Sequence, residues 1–436
     1  MKKRSCLLIA LLLLLTACAP DAPAVSESPS PPPVVETLPG GGESAEPSAQ
    51  PTVQPTPEAP IDPVAEQLAS LAVEQKVGQL LIAGIKGYTA GDDAKTAVQD
   101  YQVGGVILFR DNVESASQLA ALNNSLKALN GGHVPLLLCV DEEGGMVSRM
   151  PDELDDLPNA YEYGRIELVE ERLDACFLRG RALGAQCAAF GFSMDFAPVM
   201  DIWSNAKNTV IGKRAFGTTV SEVSYPANMT AYGIMTEGGI PVVKHFPGHG
   251  DTVVDSHDGL PVVSKTVEEL WENELIPFRQ AVEYTCVYGT GSNSAIPAIM
   301  VGHILMTAID PELPASLSPA VVNGLLREGI GFDGVVCTDD LTMGAITDTY
   351  SSGEAAVLAV EAGCDLLLVC HGQDDLAQVR DALLEAVESG RISAARLDES
   401  VYRILKLKAD YNVNNEPVDE NVDIAALNEL IGQAQP

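Results

Sequence analysis

Eight short apolar runs, separated by stretches with helical spacing, constrain this chain more than any other feature. They are Leu80–Ile85, Gly105–Phe109, Pro135–Val140, Ser193–Val199, Ile240–Lys244, Ala298–His303, Gly334–Thr338 and Asp365–Val369. Each is apolar almost throughout rather than alternating, so a strand built from it is buried on both faces. Between them, helical patterns cover Ala116–Leu129, Glu171–Phe190, Val223–Glu237, Val267–Val282, Pro319–Glu328 and Asp375–Glu388, with a last helix over Ala394–Lys408. Strands alternating with helices make a parallel sheet covered by helices. Eight such units predict a single (β/α)8 barrel of TIM type. An open, doubly wound sheet is the alternative with the same element order.

The N-terminal end has a different character. Lys2, Lys3 and Arg4 precede the apolar run Leu7–Leu15, which is too short for a comfortable membrane span. It ends in Leu15-Thr16-Ala17-Cys18, which resembles a bacterial lipobox. Residues 1–17 are therefore expected to be a lipoprotein signal peptide and Cys18 a lipidated mature N-terminus. A plainly secreted or uncleaved signal is the other reading. Residues 18–63 are Pro-, Ser-, Ala- and Glu-rich with no Lys or Arg, a composition that cannot bury a core. They read as a tether from the outer face of the cell membrane to a catalytic barrel over 64–412, with a C-terminal tail over 413–436.

A formal net charge of −35 excludes nucleic acid as a partner, because phosphates need Lys and Arg. Any membrane contact is through lipid at Cys18 rather than a basic patch. Of nine cysteines, seven remain outside the signal peptide and the lipobox. Cys139, Cys337, Cys364 and Cys370 fall in apolar runs, and Cys176 and Cys187 in a helical pattern, so buried free thiols are expected.

In such a barrel, chemistry gathers at the C-terminal ends of the strands. The third run is followed by Asp141-Glu142-Glu143-Gly144-Gly145, the fourth by Asp201, the fifth by Lys244-His245 and the sixth by His303. The seventh is followed by Asp339-Asp340 and the eighth by His371. The fifth continues into a loop, Lys244 to Pro261, that holds three of the six histidines. Asp339 can act as a nucleophile on an anomeric carbon, or either Asp339 or Asp340 can cap the following turn. Asp255 and His257 are two residues apart. A carboxylate against imidazole orients the ring for general acid and base work. Gly248, Gly250 and Gly259 give this loop freedom to close over a substrate. Asp141, Arg149 and Arg214 are candidate contacts for sugar oxygens. A metal site over His245, His249, Asp251, Asp255, His257 and His303 competes with this reading. Against it, the first run carries no ligand and Lys244 would repel a cation.

Taken together, DEEGGMVSRM (141–150), FAPVMDIWSN (196–205), VIGKRAFG (210–217), KHFPGHGDTVVDSHDGLP (244–261) and GFDGVVCTDDLTMGAI (331–346) resemble glycoside hydrolase family 3, in its bacterial β-N-acetylglucosaminidase branch. PASLSPAVVNGLLRE (314–328) completes the set. The resemblance implies a retaining glycosidase without metal or cofactor. It implies that Asp339 is the nucleophile and His257, paired with Asp255, the acid/base. It implies that Asp141, Arg149, Arg214, Lys244 and His245 bind the sugar. It implies exo-hydrolysis of terminal β-linked GlcNAc, from peptidoglycan fragments or related glycans, by a monomer. A phosphorylase of the same fold and a non-catalytic sugar-binding lipoprotein remain alternatives. Glu142 departs from the family, which more often has Gln there. The added charge either alters sugar affinity or faces away. The stretch from Tyr284 to Ile296 is longer than expected and, preceding a strand, is assigned to the bottom of the barrel.

Overall fold

The computed structural model describes residues 62–252, 259–283 and 296–436. Ten strands occur among them: β1 Leu81–Gly84, β2 Gly105–Leu108, β3 Leu137–Val140, β4 Met194–Asp195, β5 Ile240–Phe246, β6 Val262–Val263, β7 Ala298–Val301, β8 Leu305–Met306, β9 Val335–Asp340 and β10 Leu366–Val369. Eight of them close into a parallel barrel in the order β1-β10-β9-β7-β5-β4-β3-β2. These are the eight predicted runs, so the barrel holds and the open sheet is excluded. β6 and β8 form a separate two-stranded parallel ribbon that hydropathy does not signal.

The barrel strands are buried for the reason their sequences suggest. All seven residues of β5 and all four of β2, β3, β7 and β10 are buried. The inner faces pack on one another, and the outer faces lie under helices that include Ala116–Asn130, Val169–Phe190 and Val220–Thr236. Ser115 starts the first of these by accepting from the Gln118 amide, and Gly191 ends the second in the left-handed conformation.

Helix boundaries depart from the sequence reading in two places. The predicted helix over Val267–Val282 is two, Val267–Glu272 and Leu275–Glu283. Asn273 leaves helical geometry so that buried Glu274 can meet Lys265 Nζ at 2.6 Å. Helix Ser352–Ala362 goes unassigned by periodicity because it is apolar nearly all round and shows no stripe. Residues 413–436, set apart as a tail, carry a helix over Ile424–Gln433 whose Leu427 and Ile431 are buried, and Tyr163 donates to the Ala434 carbonyl at 2.8 Å. Cys139, Cys176, Cys187, Cys337, Cys364 and Cys370 are free and buried, as expected. Cys18 and all but Ile296 of the long stretch 284–296 lie outside the described residues.

Two of the barrel's strands are irregular at their C-terminal ends. Between Val243 and Phe246, β5 spends three residues against two on β7, Ile299 to Val301. Between Cys337 and Asp340, β9 spends three against two on β10, Leu366 to Leu368. Each extra residue is a bulge, which breaks the strict alternation of faces. The bulges fall on Lys244-His245 and on Thr338-Asp339, just ahead of Asp340.

Candidate active site

Lys244 and His245 from β5, and Asp339 and Asp340 from β9, line one cavity. It has a volume of about 220 Å³ at the C-terminal end of the barrel and is lined by Asp339, Asp340, Lys244 and His245 together with Asp141, Arg149, Arg214 and His249. In a regular strand two consecutive residues point to opposite sides; the bulge at Lys244-His245 lets both of these line it, and the bulge at Thr338-Asp339 breaks the alternation of β9 where it reaches the cavity.

The two aspartates divide their work. Asp340 is committed to structure: Oδ1 accepts from the Thr342 and Cys370 amides at 3.0 Å each, and Oδ2 from the Thr342 hydroxyl at 2.6 Å. Among the described residues Asp339 accepts only a local bond, from the Asp340 amide at 2.8 Å, and it lines the cavity. Burial pushes the Asp339 carboxyl up, but neighbouring His303 and His245, the Asp340 amide and Lys244 hold it below its ordinary value. Burial holds His303 itself below the ordinary histidine range. Even with His303 neutral, the Asp340 amide and Lys244 favour the ionised form of Asp339. An ionised, weakly hydrogen-bonded carboxylate is suited to attack on carbon.

Cations and carboxylates interlock on the opposite wall. Lys244 Nζ contacts Asp141 and also Glu143 Oε1, the latter at 2.6 Å. Arg214 grips Glu143 with two bonds, Nε to Oε2 at 2.9 Å and Nη2 to Oε1 at 2.6 Å. Arg149 Nη2 lies 3.9 Å from Asp141. Burial lowers the Lys244 ammonium, and Asp141 and Glu143 more than restore it, so its pKa is raised. Burial raises the Glu143 carboxyl, and Arg214 and Lys244 overcome that and hold it well below the usual range. Glu143 is itself pinned by Arg179, which donates to the Glu143 carbonyl from the helix Val169–Phe190.

Asp201 is fully buried at the end of the fourth unit and serves the histidines. Its Oδ2 meets His245 Nδ1 at 2.7 Å, and its Oδ1 accepts from the His249 amide at 2.6 Å. A carboxylate acceptor places the proton on Nδ1 and leaves Nε2 of His245 for a ligand. His303 is fixed in the other sense. Its Nε2 meets the Asp340 carbonyl at 2.9 Å, which only accepts, so Nε2 carries the proton and Ser316 donates to Nδ1 at 2.7 Å. His249 Nδ1 pairs with the Thr252 hydroxyl at 2.8 Å. The three rings thus have different partners rather than one shared metal point.

Six predicted residues converge on this cavity: Asp339, Asp141, Arg149, Arg214, Lys244 and His245. Asp255 and His257 lie outside the described residues. Glu142 does not line the cavity. Its side chain turns back to accept from the Arg149 amide at 2.6 Å and the Gly144 amide at 3.2 Å. Gly248 and Gly250 belong to the loop expected to close over a substrate. Both are buried, and a Cβ on Gly250 would stand 1.8 Å from the Ile202 carbonyl oxygen, so Gly250 is there for close backbone packing. Glu143, Asp201 and the neutral His303 are the functional neighbours that sequence reasoning missed. All three stand in or beside motifs already marked, but their roles depend on partners far away in sequence.

A closed barrel with an ionised carboxylate on one strand end, facing paired cations and carboxylates, defines a glycoside hydrolase of the barrel class. The family model described as glycosyl hydrolase family 3 N terminal domain matches residues 72–407, and the chain belongs to that family. It is 35% identical over 349 residues to the β-hexosaminidase LpqI of Mycobacterium tuberculosis, covering 78% of this chain and 84% of that protein. A β-hexosaminidase of Nitrosomonas eutropha is 32% identical over 332 residues, covering 75% and 91%. The solved structure of a family 3 β-N-acetylglucosaminidase from Paenibacillus sp. str. FPU-7 has a TM-score of 0.77 at 40% identity, over 84% of this chain and 68% of that one.

Proposed function

We propose that this protein is a retaining exo-β-N-acetylglucosaminidase that hydrolyses terminal β-linked GlcNAc from peptidoglycan fragments or related glycans. The observation that carries the reading is the convergence of predicted site residues from four separate motifs on a cavity of about 220 Å³. General ligand pockets run to roughly 300–1,000 Å³, so this one suits a single terminal sugar. The relatives named β-hexosaminidase and β-N-acetylglucosaminidase support the identity of that sugar.

In the proposed mechanism Asp339 attacks the anomeric carbon while His257 protonates the departing oxygen. The C–O bond to the leaving group breaks as the bond to Asp339 Oδ forms. Water then attacks the glycosyl-aspartate with His257 as base, which returns Asp339 to its carboxylate. Asp255 orients the His257 ring and compensates its charge. Asp141, Arg149, Arg214, Lys244 and His245 hold the hydroxyls. The protein is proposed to act as a monomer on the outer face of the membrane, anchored by lipid at Cys18. Loss of membrane association in Cys18→Ala tests the anchor, and retention on the membrane would refute it.

The test of the reaction is release of p-nitrophenol from its β-GlcNAc glycoside by wild type and Asp339→Ala, with and without phosphate. A loss of at least about 10³-fold in Asp339→Ala is expected. Equal activity would remove the nucleophile, and GlcNAc-1-phosphate as the main product would replace hydrolysis with phosphorolysis. In His257→Ala the loss should be larger with poor leaving groups than with activated ones.

A further inference from the structure

We infer that Phe109 and His371 form a second subsite, for the leaving group, built to take the face of a pyranose ring. This rests on the exo-glycosidase reading. A sugar whose hydroxyls are held inside the cavity has only the mouth left for the group on its anomeric oxygen. Two ring pairs line that cavity among the described residues. His245 and His249 are buried and edge-on at 5.7 Å. Phe109 and His371 stand with centroids 5.1 Å apart at 33°, and the His371 side chain is 69% exposed.

The barrel order explains how they meet. Phe109 follows β2 and His371 follows β10, and between those strands lies β1. β1 contributes no lining side chain and ends in Gly84, where a Cβ would stand 1.9 Å from the Cys370 carbonyl oxygen. The close approach at Gly84 lets the two flanking strand ends bring their rings together. The hydroxyl-binding Lys244 and His245 are on β5, across the barrel, and Asp339 is on β9, beside β10. The ring pair thus sits between the strand end that carries Asp339, on β9 beside β10, and the one that leads to Asp141, on β3 beside β2, and opposite Lys244 and His245.

The backbone under Phe109 is held, and a fixed carboxylate stands near His371. The Phe109 amide donates to Asn112 Oδ1 at 2.8 Å, and the buried Asn112 amide donates to the Ile85 and Gly87 carbonyls at 3.1 and 2.9 Å. His371 Nε2 lies 3.9 Å from Asp340 Oδ2, the carboxylate already fixed by Thr342 and Cys370. A partly exposed aromatic surface of this kind presents a π-face to the axial C–H groups of a pyranose.

The test compares kcat/KM for N,N′-diacetylchitobiose, whose leaving group is a sugar ring, with that for methyl β-N-acetylglucosaminide, whose leaving group has none. In His371→Ala the disaccharide-to-methyl ratio should fall about two- to tenfold, the range of one aromatic stacking contact. In His371→Phe, which keeps a ring, the ratio should return towards that of wild type. An unchanged ratio in His371→Ala, or an equal fall in both variants, overturns the subsite. Failure of the wild type to turn over either glycoside would instead overturn the glycosidase reading beneath it.

Discussion

Replacing Glu142 by Gln should stabilise the protein increasingly as pH rises. Burial pushes the Glu142 carboxyl up from its ordinary 4.5 to about 7, against the pull of the Arg149 and Gly144 amides. A carboxyl raised on folding favours the folded state while it is protonated. That advantage is complete below pH 4.5 and is lost as pH climbs through 4.5 to about 7. With those two values, the loss between pH 5 and pH 8 is about 2.5 kcal/mol. Glutamine cannot ionise and escapes it. Its amide also puts an NH₂ against one of the two backbone N–H groups that Glu142 accepts, at a cost of about 1 kcal/mol. That cost is nearly the same at both pH values, so the change with pH is the readout. For a folded unit of this size, an unfolding entropy of about 2.1 cal/mol/K per residue makes 2.5 kcal/mol roughly 3 °C. Thermal unfolding of wild type and Glu142→Gln at pH 5 and pH 8 should show a Tm difference that moves in favour of Gln by about that amount. A difference independent of pH would refute the reasoning, because it would mean that Glu142 is ionised throughout or titrates as freely as in the unfolded chain.

Two further substitutions probe the walls of the cavity. Asp201→Asn takes the charged acceptor from His245 Nδ1 and unfixes the ring, so kcat/KM should fall about 10- to 100-fold with thermal stability changed far less. Loss of folding without a kinetic defect in the surviving native fraction would contradict this positioning role. Glu143→Ala strands buried Lys244 and Arg214 with reduced compensation and should cost about 3–5 kcal/mol of stability in denaturant unfolding. A cost below about 1 kcal/mol would mean that Asp141 alone satisfies both cations.

Sequence alone determined the barrel. Eight runs apolar on both faces have to be covered by helices on the outside and by one another on the inside, and that requirement needs no knowledge of which residues touch. It also placed Asp141, Lys244, His245 and Asp339 at the catalytic rim, because the C-terminal end of each strand is readable from the run before it. Tertiary structure decided what those residues do. Nothing in Thr338-Asp339-Asp340 says that Asp340 is bound by Thr342 and Cys370 while Asp339, among the described residues, accepts only from the Asp340 amide. Nothing in DEEGG says that Glu142 turns back to the Arg149 amide while Glu143 grips Arg214 and Lys244. Cys370, Arg214 and Lys244 among those partners lie dozens to about a hundred residues away. The bulges in β5 and β9 belong to the same class. A pattern of apolar runs fixes that a strand exists and which end is the rim. The register against its neighbours fixes whether Lys244 and His245 can both face one cavity, and where β9 breaks its alternation.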